Sequence, residues 1–292
     1  METEQSYCAP KIAANKQKSC FTYELLVLIA TLYNNSHTDK INIVSKKSKK
    51  KLWLSIKDKL SLQCGSNETC WLEQPFVKNT THVSKLEKNF RPKKPASWYK
   101  NPTEWLNTYD ILFVMKQYEE SDKLYKFIGV YPVDFASKNS TDTCIVQEMC
   151  KINLIDEFGN GIRKIGVILN LDRHDESGSH WVSLYIGIDP KRNNFGVYYY
   201  DSVAMTPPKE ISTFMKTIQS QLYNMYPKQQ SKIAYEVNKV RRQYKNYNCG
   251  MFSILFQILM MKHKYGNVCA NMGYDDDVQK FRDILYRVNE KT

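Results

Sequence analysis

No apolar run in these 292 residues approaches the roughly 20 residues that a membrane-spanning helix needs; the longest extends only from Leu25 to Ala30. The first residues also lack a basic stretch followed by an apolar one, so neither a membrane role nor a secretory route is expected. From this follows the expectation that the eight cysteines, Cys8, Cys20, Cys64, Cys70, Cys144, Cys150, Cys249 and Cys269, are reduced thiols without a disulfide framework. The Asn-x-Ser/Thr sites at Asn34, Asn67, Asn79 and Asn139 then carry no meaning. Zinc-ligand spacing is missing too. Cys64 and Cys70, like Cys144 and Cys150, are separated by five residues, and no nearby His completes either pair, so no metal or other cofactor is expected. Repeats are absent, and histidine is scarce: five residues limit the candidates for any general base.

The composition, 42% hydrophobic and 25% charged, is that of a globular chain rather than a disordered one. The net charge of +12 is unevenly placed. Residues 1–100 carry 18 Lys/Arg against 8 Asp/Glu, and residues 101–292 carry 24 against 22. A basic first third suggests a segment that meets something acidic, such as nucleic acid or an anionic protein surface, and Trp53, Trp98 and Tyr99 stand near lysines where bases could stack. Pro92, Pro95 and Pro102 deny a continuous helix and mark a boundary near residue 95. The expectation is a basic, mostly helical arm over 1–95 and a second domain over 96–292.

After a polar lead-in of about 20 residues, the arm holds a dense apolar helix, FTYELLVLIATLYNN. The run Lys46, Lys47, Lys49, Lys50, Lys51 then leads into an amphipathic helix carrying Leu52, Ile56, Leu60 and Leu62. Beyond residue 95 strands appear: 164–171, 181–188 with strict alternation, 195–202, and 232–237. The second and third read as an antiparallel hairpin across the turn-rich DPKRNN. Helical spacing covers 210–226, and residues 249–264 are apolar almost all round, which marks a buried helix. Acids open a last helix from Asp275. The fold class is α+β.

One constellation carries chemistry. Cys249 directly precedes the buried helix, where the positive end of the helix dipole favours a thiolate, and Gly250 lets backbone approach a substrate closely. His37 and His82 lie in the arm, and His263 sits near the far end of the helix that Cys249 opens. His174 lies in a solvated turn, which leaves His180, at the entry to a strand, as the base. Asp201 ends the neighbouring strand of the hairpin, 21 residues on, where two short strands and a turn place it beside His180. Gln243, six residues before Cys249, offers an amide donor for an oxyanion beside the Cys249 N–H. Taken alone, Cys249 would be a buried structural thiol and Asp201-Ser202 a turn; the joint pattern points to catalysis.

GSHWVSLYIG, YYYDS and Arg-Arg-Gln-x5-Cys-Gly together resemble the SUMO-protease and adenovirus-protease superfamily of cysteine peptidases, as do Trp105-Leu106-Asn107 and the pair His180-Trp181. Cys64 and Cys70 in the arm, Asp134-Phe135 and the Gly-x-His-Trp-Val segment are similar to the polyprotein-processing proteases of African swine fever virus and other large DNA viruses. The resemblance implies a papain-like core, a central mixed sheet flanked by helices, with Trp181 and Gly250 supporting substrate or oxyanion. It further implies cleavage after Gly-Gly in viral core polyproteins during virion maturation, located in the virion and host cytoplasm. The chain has no Gly-Gly pair of its own, so no self-cleavage of that kind is expected. Alternatives are an isopeptidase that removes ubiquitin or a ubiquitin-like protein with the same residues, and a basic nucleic-acid- or scaffold-binding virion protein.

Overall fold

The computed structural model describes residues 7–13, 19–43 and 48–288. The polar lead-in lies partly outside the described residues, as do Lys46 and Lys47 of the basic run. Contacts divide the chain into two compact units, one holding the residues up to Lys94 and those from Ile284 onward, the other Pro95–Asp283.

In the first unit, helix α1 (Tyr23–Ser36) starts where the Thr22 hydroxyl accepts the N–H of Leu25. Its Leu26, Ile29 and Ala30 face a core shared with Leu52 and Ile56 of α2 (Lys49–Lys59) and with Phe21, Trp71 and Phe90. Leu62 does not join the stripe expected of it; α2 ends at Lys59, and Leu62 is 96% exposed. Glu68 is half-buried and accepts the Cys20 N–H at 2.7 Å, the Trp53 indole N–H at 2.6 Å and the Ser19 hydroxyl. Burial pushes its carboxyl pKa up in spite of those bonds.

The stacking expectation for the arm changes accordingly. Trp98 is buried, Trp53 is committed to Glu68, and of the three aromatics only Tyr99 is exposed. Several lysines are engaged within the chain: Lys59 with Asp39, Lys57 over the Trp53 ring, and Lys93 with Glu73 and Glu87.

The expectation of reduced thiols is overturned. Cys8–Cys20 and Cys64–Cys70 are disulfides in the first unit, and Cys144–Cys150 is one in the second. Their Cα atoms stand 5.3, 5.4 and 6.5 Å apart, within bridging range. Neither the missing leader nor zinc spacing reveals how near two cysteines come in the folded chain, and that distance decides whether they can be bridged. Cys249 and Cys269 are free thiols.

The second unit is built on a five-stranded mixed sheet in the order β1 (Tyr125–Pro132), β2 (Lys164–Asn170), β3 (Trp181–Gly187), β4 (Gly196–Tyr200), β5 (Ala234–Val237). The outer pairs are parallel and the inner two antiparallel. The expected hairpin is β3–β4, with Ser183 opposite Tyr200 and Gly187 opposite Gly196. No strand is expected at β1 from the sequence. A bulge between Phe127 and Gly129 breaks its alternation, which hides the period-2 signal.

Helices cover both faces, so β3 and β4 are buried along their whole length. Val182, Leu184 and Ile186 pack with Ile211, Met215 and Ile218 of α4 (Lys209–Met225), while α3 (Thr108–Ser121) packs beside β1. The alternate residues face α5 (Cys249–Met260), which lies against β3. Fully buried Gln257 ties α5 to the sheet: its Oε1 accepts the Tyr125 hydroxyl at 3.0 Å, and its Nε2 donates to Ser183 Oγ and Leu184 O, both at 2.7 Å. A Cβ on Gly166 would lie 2.0 Å from that hydroxyl, so only glycine lets helix and sheet meet there. This packing carries the first residue of α5 to the edge of β3.

Candidate active site

His180 is the residue before β3, and its carbonyl accepts the N–H of Leu171, so the sheet holds its backbone. Asp201 is the residue after β4 and is fully buried. A hydrogen bond of 2.8 Å joins His180 Nε2 to Asp201 Oδ1. Cys249 is the other group that acts on the imidazole and favours its charged form. Cys249 is 2% exposed and opens α5, a helix of 12 residues, where the dipole favours negative charge on sulfur. Burial disfavours the imidazolium, but the hydrogen bonds and charges of Asp201 and Cys249 outweigh it and push the His180 pKa up to about 9. The arrangement therefore suits an imidazolium–thiolate pair in a largely buried setting.

The turn after Asp201 is held by groups that sequence spacing did not reveal. Asn238, just past β5, accepts the Asp201 N–H and donates to the Asp201 carbonyl, both at 2.7 Å. The Asp201 carboxylate accepts N–H groups from Val203 at 2.9 Å and Met205 at 3.3 Å. A buried carboxylate needs hydrogen-bond partners, and here backbone N–H groups join His180 so that both oxygens have one.

Gln243 is 3% exposed and joins the same buried network by another route. Its Oε1 accepts the Ser202 hydroxyl at 2.5 Å, and its Nε2 donates to Lys245 O at 2.6 Å. The loop from Gln243 to Cys249 is clamped by Asp275, whose carboxylate accepts the N–H groups of Tyr244 and Lys245 and the Asn248 side-chain amide. Neither Ser202 nor Asp275 shows this role in the sequence, because each works across more than 25 residues of chain.

Trp181 is buried and its indole N–H donates to Leu106 O at 2.9 Å. A Cβ on Gly250 would stand 3.1 Å from the Leu106 Cβ and 3.2 Å from a Trp181 ring carbon. The glycine therefore serves the close packing of α5 beneath these two residues, a reason beyond the backbone exposure expected of it. From Trp181 and Leu106 a cavity of about 450 Å³ extends past Trp105 and Asn170 to Ile145 and His174. His174, set aside as a base, is exposed and bonds Asp134 at 2.7 Å. Asp134, His174 and Asp175 cluster closely enough to hold a cation, but the Arg173 guanidinium stands 3.8 Å from Asp134 and 3.4 Å from Asp175 and supplies the positive charge itself.

Comparison with known proteins agrees with this geometry. The C-terminal catalytic domain of the Ulp1 protease family matches residues 162–291. A putative thiol protease of Acanthamoeba polyphaga mimivirus is 30% identical over 297 residues, which cover 96% of this chain and 93% of the relative. A cysteine protease of African swine fever virus is 24% identical over 264 residues, covering 86% of this chain and 93% of its own length. The crystal structure of an African swine fever virus protease superposes with a TM-score of 0.67 at 18% identity, over 99% of this chain and 98% of that one, and so shares the fold.

Proposed function

The chain belongs to the Ulp1 protease family and is a cysteine protease, and from that premise we propose that it is an endopeptidase that cuts after Gly-Gly pairs in viral core polyproteins during virion maturation. The observation that carries the catalytic part is the position of His180, bonded to buried Asp201 and near enough to Cys249 at the head of α5 for that group to raise the imidazole pKa. In this reading the Cys249 thiolate attacks the scissile carbonyl, and the oxyanion is received by the Cys249 N–H and Gln243 Nε2. The His180 imidazolium then protonates the leaving amine. The neutral imidazole takes a proton from water as its oxygen attacks the thioester; the thiolate leaves, the carboxylic acid departs and the thiolate–imidazolium pair is restored.

The Gly-Gly preference draws on the resemblance of the His180-Trp181 and Gln243–Cys249 segments to the large-DNA-virus proteases. Virions and the host cytoplasm are the corresponding places of action. The test is incubation with the core polyprotein of the source virus and mass spectrometry of the new termini. New termini after Gly-Gly with wild type, and none with Cys249→Ala, are expected; cleavage by Cys249→Ala would sink the mechanism. Labelling of Cys249 by a C-terminally reactive ubiquitin or SUMO probe, without cleavage of the polyprotein, would instead mark an isopeptidase.

A further inference from the structure

A glutamine amide can face two ways, and only one of them presents a donor to an oxyanion. In this protein the orientation is set by two groups. Lys245 O accepts from Gln243 Nε2 at 2.6 Å, and a flipped amide would put two acceptors together there. At the other end the Ser202 hydroxyl donates to Gln243 Oε1 at 2.5 Å, with both residues almost fully buried. The backbone adds a third tie, since the N–H of Gln243 donates to Ser202 O at 2.9 Å.

We propose that Ser202 is a positioning residue for the reaction: it holds the Gln243 amide plane so that the second N–H of Nε2 stays aimed at the oxyanion. The terminal torsion of glutamine is broad, so one hydrogen bond at Lys245 leaves the plane free to rotate; the Ser202 hydroxyl removes that freedom. Ser202 follows Asp201 directly in the chain. One turn thus serves both halves of the machinery, Asp201 directing the imidazole and Ser202 the oxyanion donor. The Asn238 clamp on Asp201 holds that turn rigid, so the two settings move together or not at all. The inference rests on the place of Gln243 in the proposed oxyanion hole.

The experiment compares Ser202→Ala, Gln243→Ala and the double variant in peptide hydrolysis, with alkylation of Cys249 by iodoacetamide followed by mass spectrometry as the second readout. Alkylation displaces iodide at carbon and builds no oxyanion, so it reports the Cys249–His180 pair alone. Ser202→Ala is expected to lower kcat by about 10- to 100-fold, the scale of a slightly misplaced donor, with KM within about threefold. Its alkylation rate should stay within about twofold of wild type, and in the Gln243→Ala background it should cost nothing further. The inference is overturned if Ser202→Ala leaves kcat within about twofold, slows alkylation as much as hydrolysis, or adds its full effect to Gln243→Ala. If Ser202→Ala does not fold, Ser202→Cys, similar in shape and weaker as a donor, enters the same comparison. Cys249→Ala run alongside separates the two levels: hydrolysis surviving there refutes the catalytic assignment itself, not the role of Ser202.

Discussion

Replacing Asp201 with Asn keeps the shape of the residue and removes its charge, which isolates what the carboxylate does for His180. In the native protein the imidazole is pushed from 6.5 up to about 9, against a burial cost that acts the other way. That gap corresponds to on the order of 3 kcal/mol in favour of the imidazolium, at 1.36 kcal/mol per pH unit. An asparagine oxygen can still accept the Nε2 proton and the Val203 N–H, so the ring keeps its direction. The Coulombic part is lost, and a neighbouring opposite charge is worth about 1–3 pH units. Taking the middle of that range, the His180 pKa falls to about 7 and the alkaline limb of kcat/KM falls with it. The rate deficit of Asp201→Asn should then be about 25-fold at pH 8.5 and negligible at pH 6. Stability follows the same sign. A His raised in the folded state stabilises fully below its unfolded pKa of 6.5, and that contribution is lost as pH rises through about 9. Denaturant midpoints of wild type should therefore decline across that window, and those of Asp201→Asn should decline less. Initial rates across the pH range, with melting temperatures as a control for the lost Met205 contact, make the measurement. An alkaline limb that stays in place in Asp201→Asn would falsify the claim that this carboxylate sets the charge of His180.

Three further outcomes test the fold. Gln257→Leu strands the buried Tyr125 hydroxyl and should cost about 1–3 kcal/mol in denaturant unfolding, with kcat hardly changed because position 257 is two turns down α5 from Cys249. No loss of stability in that variant would show that the helix–sheet tie is not needed. Thiol titration of the denatured, unreduced protein should find two reactive thiols, Cys249 and Cys269, whereas eight would refute the disulfides. Loss of Cys8–Cys20 alone should cost up to about 3 kcal/mol, from the entropy of its short loop.

What could be read from the chain alone was what depends on near neighbours. The hairpin of β3 and β4 is local, so a spacing of 21 residues was enough to place His180 beside Asp201. The start of α5 is also local: a polar loop followed by an all-apolar run located Cys249 at a helix N-terminus. Strand β1 escaped because its bulge interrupts the alternation on which such readings depend. Leu62 was misassigned because periodicity does not announce where α2 stops. Everything that joins distant segments was decided by the tertiary structure. The sheet order brought β1 beside β2, Gln257 seated α5 on β3 and so delivered Cys249 to His180, and Ser202 met Gln243 across 41 residues. The disulfides also needed the folded chain, since whether two cysteines can be bridged depends on the few ångströms between their Cα atoms, which spacing along the sequence does not give. Local sequence sets the conformation of short segments through sterics and periodicity, whereas the contacts between segments depend on how whole faces pack, and that is a property of the folded chain.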